Sequence, residues 1–178
     1  MNASKIAVGF IAFAMIISLL IFIAYSIYKL ATYETEYKYT VELKHKKQFI
    51  HPAEIEFVTV DGNSITPTSA NTSSMRGDAS RSIEQSYDGK MDTWFHTKNN
   101  DDEYIILEYD STSPLKQFVI RNRPVVENIT AESTNKRMNG LVINIISESG
   151  TDSFVVDNKD KIINDVTFNA ETKTWLIK

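Results

Sequence analysis

Tyr87-Asp88-Gly89-Lys90-Met91-Asp92-Thr93-Trp94-Phe95-His96-Thr97 packs a turn, two carboxylates, the aromatic pair Trp94-Phe95 and a histidine into eleven positions. Asp-Gly is a turn pair, because glycine supplies positive φ and aspartate caps nearby backbone amides. An aromatic that flanks a turn usually packs beneath it, so Trp94 is expected in the core. The stretch therefore reads as a recognition loop held between strands.

Working outward, residues 37–44 alternate apolar and polar side chains without a break, the period-2 pattern of a strand with one buried face. A second strand fits 54–60 and stops at the turn pair Asp61-Gly62. Residues 61–82 are rich in Ser, Thr, Asn and Gly and read as surface loop. Within that loop, Arg76-Gly77-Asp78 reads as an accidental tripeptide rather than an integrin signal. Downstream, short β-branched or aromatic runs recur at 104–108, 118–120, 141–146, 154–156, 166–168 and 175–177. No helical period appears among them. Eight short strands with polar turns predict an all-β fold, an antiparallel jelly-roll sandwich over residues 31–178.

The N-terminus differs. From Ile6 to Tyr28 there are 23 residues without a charge, bounded by Lys5 and Lys29. As a helix at about 1.5 Å per residue, this run covers a hydrocarbon core roughly 30 Å thick. It is too long for the apolar part of a signal peptide and ends in Tyr-Lys-Leu rather than small residues. The expected organisation is a short tail at 1–5, one transmembrane helix at 6–30, then the sandwich. Lys29, Lys38, Lys44, Lys46 and Lys47 outnumber Lys5, which favours a single-pass protein with its C-terminal domain on the cytoplasmic or virion-interior face. The acceptor patterns at Asn71 and Asn128 would be used only on the opposite side.

A formal charge of -4 and a pI near 5.4 argue against nucleic-acid binding. The absence of cysteine excludes disulfides and thiolate chemistry. His45, His51 and His96 show no spacing to a nucleophile or a metal-ligand partner, and no glycine-rich phosphate loop is present, so the chain reads as a non-enzyme.

Ser86-Tyr87-Asp88-Gly89, Thr93-Trp94, His96-Thr97, Tyr104 to Leu107, Arg121-Asn122-Arg123 and Arg137-Met138-Asn139-Gly140 together resemble the discoidin family, the coagulation-factor C-type or galactose-binding-like fold. The resemblance covers roughly residues 70–178. In the related fucose-binding F-type lectins a histidine is followed, after twenty-six residues, by an arginine, and His96 and Arg123 keep that spacing. Val125 departs from the acidic residue of that pattern, and Arg137 follows later than its second basic residue. The resemblance implies His96, Arg123 and Arg137 as ligand contacts, with a structural, hydrogen-bonded His96 as the competing reading. It also implies calcium at the turn, through Asp88 and Asp92, against a plain turn-capping role for Asp88.

Two functions follow. The first is a membrane-anchored binding module that links a lipid bilayer to a glycan or protein partner. The second is a structural assembly protein that ties a membrane to a capsid-like lattice, such as a minor capsid or virion membrane protein.

Overall fold

The computed structural model describes residues 3–31, 35–77, 82–123, 130, 137–157 and 163–178, with side chains in the first helix from Met15 to Leu30. The chain divides into two compact units, Met1–Thr35 and Glu36–Lys178.

In the first unit a single helix, α1, runs Ala3–Ala31. From Met15 to Leu30 its large apolar side chains are exposed on every face, Ile16, Leu19, Leu20 and Phe22 among them. Ser26 turns its hydroxyl back onto the Phe22 carbonyl at 2.8 Å, which satisfies that polar group within the helix. Among the described residues no helix is long and apolar enough to cross a membrane. The expected span starts at Ile6, so its first nine side chains lie outside those described.

The second unit is two five-stranded antiparallel sheets. The strands are β1 (Tyr37–His45), β2 (Pro52–Thr59), β3 (Ser64–Ile65), β4 (Ser69–Thr72), β5 (Glu103–Ser111), β6 (Leu115–Asn122), β7 (Val142–Ser147), β8 (Gly150–Val155), β9 (Asp165–Asn169) and β10 (Thr174–Ile177). One sheet has the order β4-β5-β1-β7-β8 and the other β10-β9-β6-β2-β3. Alternate residues face inward, as a half-buried strand requires. Val41, Leu43, Ile105, Leu107, Ile143 and Ile145 come from the first sheet, and Ile55, Phe57, Phe118, Ile120, Val166 and Phe168 from the second, all at most 2% exposed. Across the core, Phe57 stacks on Tyr109 with ring centres 4.3 Å apart. Along one side of the sandwich, Phe154 of β8 stacks on Trp175 of β10 at 5.0 Å, which joins the two edge strands.

The loop expected at 61–82 contains β3 and β4, so the described strands number ten rather than eight. Both are short and polar because they lie at sheet edges, where few side chains face the core. Ile65 and Ala70 are the members that pack inward. Residues 83–86 form one 3₁₀ turn.

Trp94 is only partly buried. The anchor beneath the recognition stretch is its neighbour Phe95, fully buried in the core. The segment is irregular, with Phe95, His96 and Thr97 buried in succession, so tertiary packing and not a strand period decides which aromatic goes in.

Candidate functional site

Antiparallel register gathers five separate segments at one end of the sandwich. His45 lies opposite Glu103, Lys44 opposite Val142, Pro52 opposite Asn122 and Thr72 opposite Ile105. The connections that leave or enter these strands therefore share one rim, and they carry Phe49, His51, Arg76, Trp94, His96, Arg123 and Arg137.

Backbone bonds fix the segments to one another. The Thr97 amide donates to the Ile50 carbonyl at 3.0 Å, and the Ile50 amide to the Thr97 hydroxyl at 2.9 Å. The Arg76 amide donates to the His96 carbonyl at 2.8 Å. Asn122 is buried, accepts the Arg123 amide at 2.9 Å and donates to the Ile163 carbonyl at 2.8 Å. His45 holds the turn behind Arg137 through the Asn139 carbonyl at 2.7 Å, while Met138 sinks into the core. Glu103 is buried and ties Ser73, Ser74 at 2.6 Å and the Asn100 amide at 3.2 Å to the start of β5.

The side chains on this frame form an aromatic and cationic cluster. Phe49 lies 4.4 Å from His96 and 5.7 Å from His51, ring centre to ring centre, and the two imidazoles are 5.4 Å apart. The guanidinium carbon of Arg137 is 4.4 Å from the Phe49 ring centre and that of Arg76 is 5.8 Å away. Arg123 lies over Trp94 at 3.8 Å. These are cation–π distances, short enough for the rings to position the guanidiniums.

Both imidazoles are held neutral. Burial, with Arg137 next, brings His51 down to about 2, and His96 and Arg123 add to the effect. Burial also lowers His96 to about 4, with Arg76, Arg137 and Arg123 pushing the same way and the Thr97 carbonyl opposing them. A carbonyl only accepts, so the His96 Nδ1 bonded to the Thr97 oxygen carries the proton and Nε2 keeps a lone pair. His51 is 3% exposed, and neither ring nitrogen has a hydrogen-bond partner among the described residues. Arg137 is itself lowered, by burial first and then by Arg76.

The structure thus brings His96, Arg123 and Arg137 to one rim. Phe49, His51 and Arg76 join them; the sequence named Arg76 only in an accidental tripeptide and His51 only as a histidine without a partner, and Phe49 not at all. Phe49-Ile50-His51 alternates like the strand that follows it, which was a usable signal; Arg76 carried none.

Asp88 takes the turn-capping position. Its carboxylate accepts the Lys90 amide at 3.0 Å and the Thr93 hydroxyl at 2.9 Å. Asp92 is exposed. Among the described residues no three His, Asp or Glu side chains gather closely enough to hold a metal ion. The turn is fastened to β2 by Glu54, buried, which accepts the Gly89 amide at 3.1 Å. Burial raises Glu54 to about 7, with the Gly89 amide opposing and the Asp88 charge adding to the rise. Gly89 sits at φ +78°, where its lack of a Cβ is needed. Asn71 lies in β4, and Asp78 and Asn128 lie outside the described residues.

At the opposite end, a shallow cleft of about 320 Å³ is lined by Glu36, Asp61 and Asp110 among polar neighbours. The Thr59 hydroxyl, with Asn63, holds the Asp61 carboxyl below its ordinary value.

No protein-family model, no curated protein and no solved structure matches the chain.

Proposed function

We propose that the chain is a non-enzymatic, membrane-anchored binding module whose discoidin-like jelly-roll sandwich takes a glycan at the rim built around His96, Arg123 and Arg137. The observation that carries this reading is their convergence. Three residues drawn from two connections, β4–β5 and β6–β7, meet beside the Phe49 and Trp94 rings on a frame of main-chain hydrogen bonds. A ring face next to fixed donors and acceptors is a common way to engage a polyhydroxylated ligand. Anchoring is supported by α1, whose described apolar side chains are exposed all round. A helix without a polar face needs lipid or protein around it. The chain enters the sandwich at Tyr37, opposite Ser111, at the far end from the rim.

The test is a glycan array probed with the full chain in detergent, alongside His96→Ala and Arg123→Ala variants that retain the native melting transition. Loss of the wild-type signal in both variants is expected; an unaltered signal in either sinks the assignment. The glycan reading also requires the sandwich to face outward, against the lysine count, so protease should remove it from intact sealed vesicles. Digestion only after lysis overturns the exterior reading and fits the membrane-to-lattice assembly role instead.

A further inference from the structure

We propose that the rim selects an acidic saccharide: Arg76 and Arg137 receive its carboxylate or sulfate while His96 Nε2 accepts one of its hydroxyl hydrogens. This rests on the glycan reading above and narrows it to a charge class.

Three observations lead there. First, Arg76 and Arg137 bring two positive charges to one ring. Among the described residues neither Arg76 nor Arg137 makes an ion pair. The ion pairs among the described residues, Lys38 with Glu36, Lys44 with Glu42, Arg121 with Glu56 and Lys173 with Asp152, involve neither of them. Glu103, the buried carboxylate beneath the rim, is occupied by Ser73, Ser74 and the Asn100 amide. Two guanidiniums that share one ring repel each other, and an anion between them converts that repulsion into charge-assisted hydrogen bonds.

Second, the means of support leaves the donors usable. Arg137 and Arg76 approach Phe49 by its ring, 4.4 and 5.8 Å from its centre. A guanidinium carries five N–H groups, and neither Arg76 nor Arg137 commits one of them to a hydrogen bond with a described residue.

Third, the imidazoles call for more than a bare anion. With Nδ1–H committed to the Thr97 carbonyl, His96 Nε2 offers a lone pair, which suits a hydroxyl and not an oxyanion. His51 lies 5.4 Å from His96, is buried, and leaves one donor and one acceptor without partners among the described residues. A ligand that carries both an oxyanion and hydroxyls satisfies the arginines and His96 together, which a bare anion cannot.

The experiment titrates the full chain in detergent with glucuronate, N-acetylneuraminate, glucose, fucose and inorganic sulfate, reading the ring resonances of His51 and His96. Acidic sugars should shift both rings, and neutral sugars should bind far more weakly. Arg76→Gln and Arg137→Gln should each weaken acidic-sugar binding by roughly ten- to a hundredfold, the worth of one hydrogen bond to a charged group. Lys116→Gln, exposed at the opposite end of β6, should leave it unchanged. If sulfate binds as tightly as the acidic sugars, the saccharide assignment falls. If neutral sugars shift the rings equally and both Arg→Gln variants bind normally, the charge selection falls while the glycan reading stands. If nothing shifts either ring, both are overturned.

Discussion

His51 provides the most direct check on the rim's electrostatics, because its burial converts into a stability that depends on pH. An ordinary histidine titrates near 6.5, whereas His51, faced by Arg137, His96 and Arg123, is held at about 2. Between those values the unfolded chain binds a proton that the folded chain does not, so stability is present above 6.5 and is lost as pH falls through this window. The slope is about 1.4 kcal/mol per pH unit for each such proton. From pH 7 to pH 5 His51 therefore costs the fold about 2 kcal/mol, and any folded-state value below about 4 gives the same figure. His96 acts with the same sign and Glu54 with the opposite one. The total slope mixes three groups, and a variant is needed to isolate one. His51→Leu removes the titration and replaces a buried polar ring with an apolar side chain, so at pH 7 its stability should equal or exceed that of the wild type. Urea melts followed by the fluorescence of Trp94 and Trp175 at pH 5, 6 and 7 give the comparison. The gap between variant and wild type should widen by about 2 kcal/mol in favour of the variant from pH 7 to pH 5. A gap that stays constant with pH refutes the argument, since it would mean that His51 titrates alike in both states.

Two further outcomes follow from the turn. Glu54 has a folded value raised to about 7 from 4.5, so its contribution is complete below 4.5 and declines as pH rises through 7. Glu54→Gln, which still offers an oxygen to the Gly89 amide, should flatten that decline in urea midpoints measured between pH 5 and 8. Phe95→Ala empties a fully buried site and should cost about 3–5 kcal/mol in the same assay, whereas Trp94→Ala should cost much less.

Much of the sandwich was legible in the sequence because period 2 survives wherever one face of a strand is buried. Residues 37–44 alternate visibly, and Val41 and Leu43 are the members that reach the core. β3 and β4 were not legible, since an edge strand with few inward side chains has the composition of a loop. Trp94 and Phe95 show a finer ambiguity: two adjacent aromatics announce that one is buried, and only the tertiary packing of this irregular segment says which. For the site, His96 and Arg123, which the sequence paired by spacing, both lie at the rim end of the sandwich. That Arg76 and Phe49 meet His96 could not be read, because their proximity comes from the Arg76 amide on the His96 carbonyl and from the Thr97 to Ile50 bonds. Those contacts join residues tens of positions apart.

The same topology explains how a chain of net charge -4 presents a site for an anion. Overall charge governs solubility and long-range encounter, while a bound group responds to charges within a Debye length, about 8 Å at physiological salt. β1 runs the length of the sandwich with nine residues, or roughly 30 Å at about 3.3 Å per residue. Glu36 and Asp110 sit at its start, with Asp61 in the same cleft, and the arginine rim sits past its end. Several screening lengths separate the two, so those three carboxylates scarcely weaken the field at the rim. Net charge argues against a long polyanion laid along the entire surface, because such a ligand would have to cover both ends. It does not bear on a single acidic sugar unit that touches one end only.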